Sequence, residues 1–441
     1  MARHPAERWS RLHMGRREFL QKSAAGLALP SMAAILAACG KEPGPSGGGG
    51  GEAPELRVGS PENPATLQLF DDNPPIESDL EPEKGPLKIF NWADYFRKKV
   101  LDDFGEEYGV EWEYVTFYNM AEAISKFETG EVDFDVFFPT YDVVPGLAAK
   151  KLLQPLNRSY IPNLDRDVWP ALVDPFYDQG SQYTVPYVTY HTGMAWRTDM
   201  VDYTVADLEG MDDPWSVFWD PRWKGIVGIY DDYREALTAG LFHNGISDTN
   251  TGDAASIDKA RDSLIELTDL DVRYTIDGTY AKLPEGVFGI HEAWSGDIVA
   301  GPYYIKTGTD PHWLQYYWPA KNANSWGIVG NDCLAIPRNA ANPVLAHHFL
   351  NYYCSYDVAM KNFAWVGYQP PQTKIVPDDL LGPWKGPFDA SKGWIDGYVL
   401  ESMPEAIVHE EDFGIGKRQL ALPAEVDLLW QNAFAAVKAG A

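Results

Sequence analysis

Hydrophobic and polar positions switch between two periods along this chain. Leu87-Lys88-Ile89-Phe90 has the short apolar run of a buried strand. Phe96, Val100, Phe104 and Tyr108 then recur every four residues up to Gly109, which predicts an amphipathic helix with a glycine stop. Val110 to Phe117 reads as a strand, Met120, Ile124 and Phe127 mark a second helix ended by Gly130, and Phe134 to Phe138 is a short buried strand. This β-α order predicts an α/β fold of mostly parallel sheets with helices on both faces.

The amino terminus has another layout. A basic start leads to Arg16-Arg17-Glu18-Phe19-Leu20, then an uncharged run from Ala24 to Ala38, then Cys39 behind Leu36-Ala37-Ala38. That order predicts an export signal over residues 1–38, and the twin Arg points to the route for proteins already folded. The run is shorter than the ~20 apolar residues of a spanning helix. Its end resembles the bacterial lipoprotein box, which implies that Cys39 is the lipidated first residue of the mature chain. Residues 39–85 contain a glycine run, Gly47 to Gly51, and a Pro- and acid-rich stretch with little periodicity. Such composition buries too little apolar surface to offset its ordering entropy, so the expectation is a disordered tether. The protein is then extracytoplasmic, in a periplasm or on a cell surface, and held to a membrane by its lipid.

Removing residues 1–38 takes away six basic and two acidic residues and moves the formal charge from −28 to −32. A surface this acidic disfavours nucleic acid and attracts cations. The remaining length suits two lobes with real cores. With 16 Trp and 24 Tyr in the whole chain, aromatic stacking surfaces are available as well as packing. After Cys39 only Cys333 and Cys354 remain, with no Cys/His cluster, so no structural metal or cofactor is expected. Folding before export, in a reducing compartment, predicts two buried thiols.

Seven short blocks add chemistry, in this order: Asn91-Trp92-Ala93-Asp94-Tyr95, Phe134 to Thr140, Val185-Pro186-Tyr187 with His191-Thr192-Gly193, Asp231 to Glu235, Ala293-Trp294-Ser295-Gly296-Asp297, Asp332 to Pro337, and Gly367-Tyr368-Gln369-Pro370. Their order and spacing resemble the polyamine-binding proteins of bacterial ABC importers, among the extracellular solute-binding proteins. The resemblance implies a two-lobed clamshell like other periplasmic binding proteins, with a ligand cleft at the hinge. The lobes would be 86–195 with 332–376, and 196–331 with 377–441. The chain would cross near Thr192 to Trp196 and again just before Asp332. It also implies a monomer that delivers polyamine (putrescine or spermidine) to ABC permease subunits.

A polyamine is a methylene chain with ammonium groups, so its site needs carboxylates at the ends and aromatic faces between them. The resemblance carries Trp92, Asp94, Tyr95, Thr140, Asp232, Glu235, Trp294, Asp297, Asp332 and Tyr368 over as substrate-binding residues. Trp92 and Tyr95 are expected to open a helix at the carboxyl edge of a parallel sheet, where ligands of such folds bind. Asp94 reads equally well as a helix N-cap. Two positions depart from the pattern. Gly330 stands where relatives have a Trp, with Trp326 the nearest replacement, and Asp142 stands where an aromatic is expected; Asp142 is expected to stay solvated. The rival readings are another cationic amine, ferric iron at Tyr303-Tyr304, Tyr316-Tyr317 or Tyr352-Tyr353, and an exported enzyme. Against the last, neither Gly-x-Gly-x-x-Gly nor His-Glu-x-x-His occurs.

Overall fold

A computed structural model describes residues 56–117, 120–129, 133–276, 278–305, 311–375 and 403–440. The export signal and Cys39 lie outside them. One half of the molecule is built on β1 (Leu87–Trp92), β2 (Trp112–Phe117) and β3 (Val136–Phe137), with β1 parallel to both neighbours. Alternate residues of a strand face opposite sides. Accordingly Ile89 and Val136 enter one core cluster, and Phe90 and Phe137 enter another, where Phe90 stacks on Phe134 at 4.3 Å. Both faces are therefore apolar and covered. Helix α1 (Lys98–Tyr108) buries Val100, Leu101 and Phe104, and α2 (Met120–Thr129) contributes Ile124 to the second cluster.

The other half is built on β5 (Val227–Tyr230), β6 (Arg273–Thr275) and β7 (Ile290–Trp294), all parallel, with helices α3 (Tyr233–His243) and α4 (Ala254–Glu266). Two long antiparallel strands join the halves. β4 (Thr184–Arg197) pairs with β9 (Ile328–Ala335) from Thr184 to Thr192, then with β7 from Thr192 to Trp196. β8 (Leu314–Tyr317) also pairs with the end of β4. The full order is β2-β1-β3-β9-β4-β7-β5-β6. Helices α6 (Pro343–Cys354) and α7 (Tyr356–Val366) pack into the first cluster, while α8 (Ala424–Gly440) puts Trp430, Phe434 and Val437 into the core around α3 and α4. Helix α5 (Ser295–Ala300) follows β7 directly, at the junction of the halves.

Three expectations need correction. The helix after β1 begins at Lys98, so Trp92 ends the strand and Tyr95 lies in the connecting loop. Asp94 is not an N-cap: it takes a left-handed backbone conformation, φ 54°, and Arg97 precedes the helix. The third concerns the tether. From residue 56 to 86 the chain is an ordered strap along the first half. Leu67 is buried, Asn73 Nδ2 donates to the Leu153 carbonyl at 2.9 Å, and Leu80 N–H donates to the Tyr160 hydroxyl at 2.8 Å. Glu83 accepts the N–H groups of Val344 and Leu345 at the start of α6, at 3.3 and 2.8 Å. Hydrogen bonds of this number order a segment whose own composition carries no periodic signal.

Cys333 and Cys354 are both free and buried, and burial raises both thiols, as expected of packed rather than reactive cysteines.

Candidate functional site

The site forms where β4 and β9 pass between the halves. Tyr95 projects from the β1–α1 loop and donates its hydroxyl to Asp332 Oδ2 at 2.7 Å. Its ring meets Tyr368 edge-on at 4.9 Å and Tyr187 at 5.2 Å. Thr140 forms an isolated bridge with Asp332, which fixes the loop after β3 against β9. Asp332 is only 6% exposed, and its Oδ1 has no hydrogen-bond partner. Burial pushes its carboxyl up to about 7, against the pull of the Tyr95 hydroxyl.

From the other half, Asp232 caps α3 by accepting the N–H groups of Arg234 and Glu235 at 2.8 and 3.1 Å. One turn later Glu235 is 4% exposed. Its Oε1 accepts the Trp294 indole N–H at 3.0 Å and the Thr192 hydroxyl at 3.4 Å, while Oε2 has no partner. Burial, and then the Asp232 charge, push Glu235 up to about 8. Trp294 stacks on Tyr230 with ring centroids 3.9 Å apart. Tyr230 and Tyr368 donate their hydroxyls to the two oxygens of Asp297 at 2.9 and 2.7 Å. Burial pushes Asp297 up to about 7. Trp294 and Asp297 thus face one way from the start of α5, and Asp297 ties that helix to Tyr368 on the opposite side of the junction.

Asp142 corrects the expectation of a solvated side chain. It is partly buried, and burial raises its carboxyl. Asp142 also raises both Asp332 and Asp232 through its charge. The charge of Arg234 opposes these shifts at Asp142, Asp232 and Glu235, but it makes no ion pair with them. Its guanidinium donates to the carbonyls of Leu420 and Thr249 at 2.9 and 3.1 Å and to Asn250 Oδ1 at 2.8 Å. Among the described residues no Lys or Arg nitrogen lies within ion-pair distance of Asp142, Asp232, Glu235, Asp297 or Asp332.

The remaining candidates lie at the edge. Trp92 is half-buried against Phe117 at 4.7 Å, and its indole N–H has no partner. Asp94 is exposed; burial, and then the charges of Asp94 and Asp297, raise the Tyr304 hydroxyl. Trp326 belongs elsewhere: it packs 6.0 Å from Phe242 in the second half's core and does not replace the aromatic missing at Gly330. Of the paired tyrosines, Tyr316 donates to the His191 carbonyl and Tyr353 to the Tyr187 carbonyl. Among the described residues no group of His, Cys, Asp or Glu is placed to hold a metal ion.

Sequence reasoning missed Tyr190 and Tyr230. Each adjoins a block already noted, Tyr190 just before His191 and Tyr230 just before Asp231. It also gave Glu292 no role. This residue is 1% exposed, takes the Tyr230 N–H on Oε2 at 3.1 Å and leaves Oε1 without a partner. Burial and the Glu235 charge raise it well above the usual range.

Residues 99–385 match the family described as bacterial extracellular solute-binding protein. The spermidine/putrescine-binding periplasmic protein of Salmonella typhimurium is 26% identical over 298 residues, 67% of this chain and 80% of that one. The putrescine-binding periplasmic protein PotF of Escherichia coli is 24% identical over 288 residues, 63% of this chain and 76% of that one. Among solved structures, a putative spermidine/putrescine ABC transporter protein from Listeria monocytogenes superposes with a TM-score of 0.63 at 23% identity, covering 80% of this chain and 98% of that one. The likeness to this structure is one of fold.

Proposed function

The chain belongs to this family of bacterial extracellular solute-binding proteins, and from that premise we propose that it captures a polyamine between its two halves and delivers it to an ABC import permease. The carrying observation is a pair of buried carboxylate oxygens, Asp332 Oδ1 and Glu235 Oε2, that have no hydrogen-bond partner and stand among aromatic rings. Burying an unpaired carboxylate is costly, so such oxygens are poised for an incoming donor with positive charge. An ammonium meets that need, and Trp294, Tyr95 and Trp92 offer faces to the methylenes between two of them. Each carboxylate–ammonium pair at 4 Å gains about 4 kcal/mol gross at an effective dielectric of 20. With one cation–π contact of ~0.5–2 kcal/mol, two pairs support micromolar binding, about −8 kcal/mol after ordering costs.

In this reading the lobes are 86–195 with 332–376, and 196–331 with 377–441, hinged where β4 and β9 cross. Ligand bridging Asp332 and Glu235 favours the closed form, which the permease reads. The protein works outside the cytoplasm, held to a membrane by lipid at Cys39. The names of the relatives support the ligand class; the Leu36-Ala37-Ala38-Cys39 box supports the anchor.

Titration calorimetry of the purified protein with putrescine, cadaverine, spermidine and spermine tests the proposal. Saturable binding of at least one is expected, with a matching change in Trp fluorescence. Silence with all four rejects it. Mass spectrometry of the membrane fraction tests the anchor, and an unmodified mature amino terminus away from Cys39 rejects that part.

A further inference from the structure

Helix α5 starts without a side-chain cap, although Trp294 is its N-cap and Asp297 stands three residues on. In a capping box the third side chain reaches back to the N–H of the cap residue. Here the Tyr230 hydroxyl stands between the two. It accepts the Trp294 backbone N–H at 2.8 Å and donates to Asp297 Oδ2 at 2.9 Å. Its ring meanwhile lies flat on the Trp294 indole at 3.9 Å. One side chain of β5 thus holds both the aromatic wall and the carboxylate that α5 brings to the junction.

The direction of the Tyr230 proton is set from behind. Thr279, fully buried in the helical turn Gly278–Lys282, has its hydroxyl 3.1 Å from the Tyr230 hydroxyl and 3.1 Å from His291 Nδ1. His291 Nδ1 also meets the Glu292 carbonyl, which only accepts, so this nitrogen carries a hydrogen. Thr279 therefore receives from His291 and gives its own proton to Tyr230 at 3.1 Å or to the Glu292 carbonyl at 3.0 Å. The Tyr230 proton is left to Asp297. Two glycines make room for the imidazole: a Cβ at Gly228 would lie 2.0 Å from His291 Cδ2, and one at Gly278 would lie 2.4 Å from Nε2.

Building on the polyamine reading, we propose that Tyr230 is a positioning residue of the ligand site. Oriented by Thr279 and His291, its hydroxyl completes the start of α5 and holds Asp297 as an ionised acceptor for an ammonium group. Tyr368 gives Asp297 its other donor, at 2.7 Å, and Tyr190, the residue of β4 that is not fully buried, lies 6.5 Å beyond the Tyr368 ring. The remaining titratable group felt by Asp297 is Tyr304, after α5.

Calorimetry with spermidine and putrescine, run from about pH 6 to about pH 9, tests this on the wild type and on variants. Tyr230→Phe keeps the ring on Trp294 and removes the hydroxyl, so affinity should fall about tenfold near neutral pH. A donor to a carboxylate favours its ionised form, so Asp297 should hold its proton to higher pH in this variant and the loss should shrink toward about pH 9. In an Asp297→Asn background the same change should leave the pH profile where it was. Thr279→Val, of the same shape, should lose a few-fold in the same direction, and Thr279→Ser should bind like the wild type. A Tyr230→Phe protein with the wild-type affinity and profile, a loss that does not vary with pH, or a Thr279→Ser protein as weak as Thr279→Val would each overturn the inference and leave the polyamine reading standing. If Tyr230→Phe does not fold, the two Thr279 variants decide. Binding of no polyamine by the wild type would bring down the polyamine reading itself, and this inference with it.

Discussion

Replacing Asp332 with asparagine should stabilise the ligand-free protein at pH 8 and weaken its hold on a polyamine. Burial lifts the Asp332 carboxyl to about 7, while in the unfolded chain it titrates near the ordinary value of about 3.9. As pH rises from 4 to 7 the unfolded state sheds this proton first, so the unfolded state binds fewer protons and stability falls. Between pH 5 and pH 7 there are two tenfold steps in acidity, each about 1.4 kcal/mol, so Asp332 removes about 3 kcal/mol across that window. The amide that replaces it has no proton to lose. Measured by urea unfolding at pH 5, 6, 7 and 8 without ligand, the stability of Asp332→Asn relative to the wild type should rise by about 3 kcal/mol and level off above pH 7. Saturating polyamine should reverse the order at pH 8, because tight binding to the native state stabilises it by mass action and the variant binds less tightly. A difference between the two proteins that does not change with pH would refute the argument, since it would mean that Asp332 titrates alike folded and unfolded.

Proton release should accompany binding. Asp332 and Asp297 stand near about 7 and Glu235 near about 8, so an incoming ammonium displaces protons, and affinity should fall as pH drops from 8 to 6; calorimetric heats at pH 7 that are identical in phosphate and Tris would contradict this. Gly296→Ala should push the halves apart, because a Cβ there would fall inside the Tyr368 ring; overpacking of this kind costs ~1–3 kcal/mol, and a polyamine affinity unchanged from the wild type would count against closure at this contact. Small-angle scattering should show a smaller radius of gyration with ligand, and a ligand proved to bind by calorimetry that leaves it unchanged would rule out lobe closure. Trp294→Phe keeps a ring on Tyr230 but removes the donor to Glu235 Oε1, so ligand affinity should drop by a few-fold to ~10-fold; no loss would show that the indole N–H is dispensable.

The sequence made the first helix legible because its burial is one-sided. The four-residue spacing from Val100 to Tyr108 became α1, and the β-α order became strands with covered faces. The blocks around Tyr95, Glu235, Trp294, Asp297, Asp332 and Tyr368 do converge, and Asp332–Tyr95 and Asp297–Tyr368 meet through hydrogen bonds. Tyr190 stayed hidden because β4 is buried on both faces, and such a strand has no alternation to betray a side chain facing the cleft. The strap stayed hidden for the opposite reason: its order comes from partners 80 residues away, such as Leu153 for Asn73 and Tyr160 for Leu80, and local composition holds no trace of them. The sequence left the role of Trp326 open because proximity along the chain to Gly330 carries no information about which core an indole enters.

That strap also decides where mechanical load enters. Its hydrogen bonds to Leu153, Tyr160 and the first turn of α6 all land on the half built around β1. Tension arriving from upstream of residue 56 is therefore taken up by that half, and the half carrying α3, α4 and α8 hangs unloaded. A pull from that end would meet the bonds along the strap one after another, as tape comes off a surface.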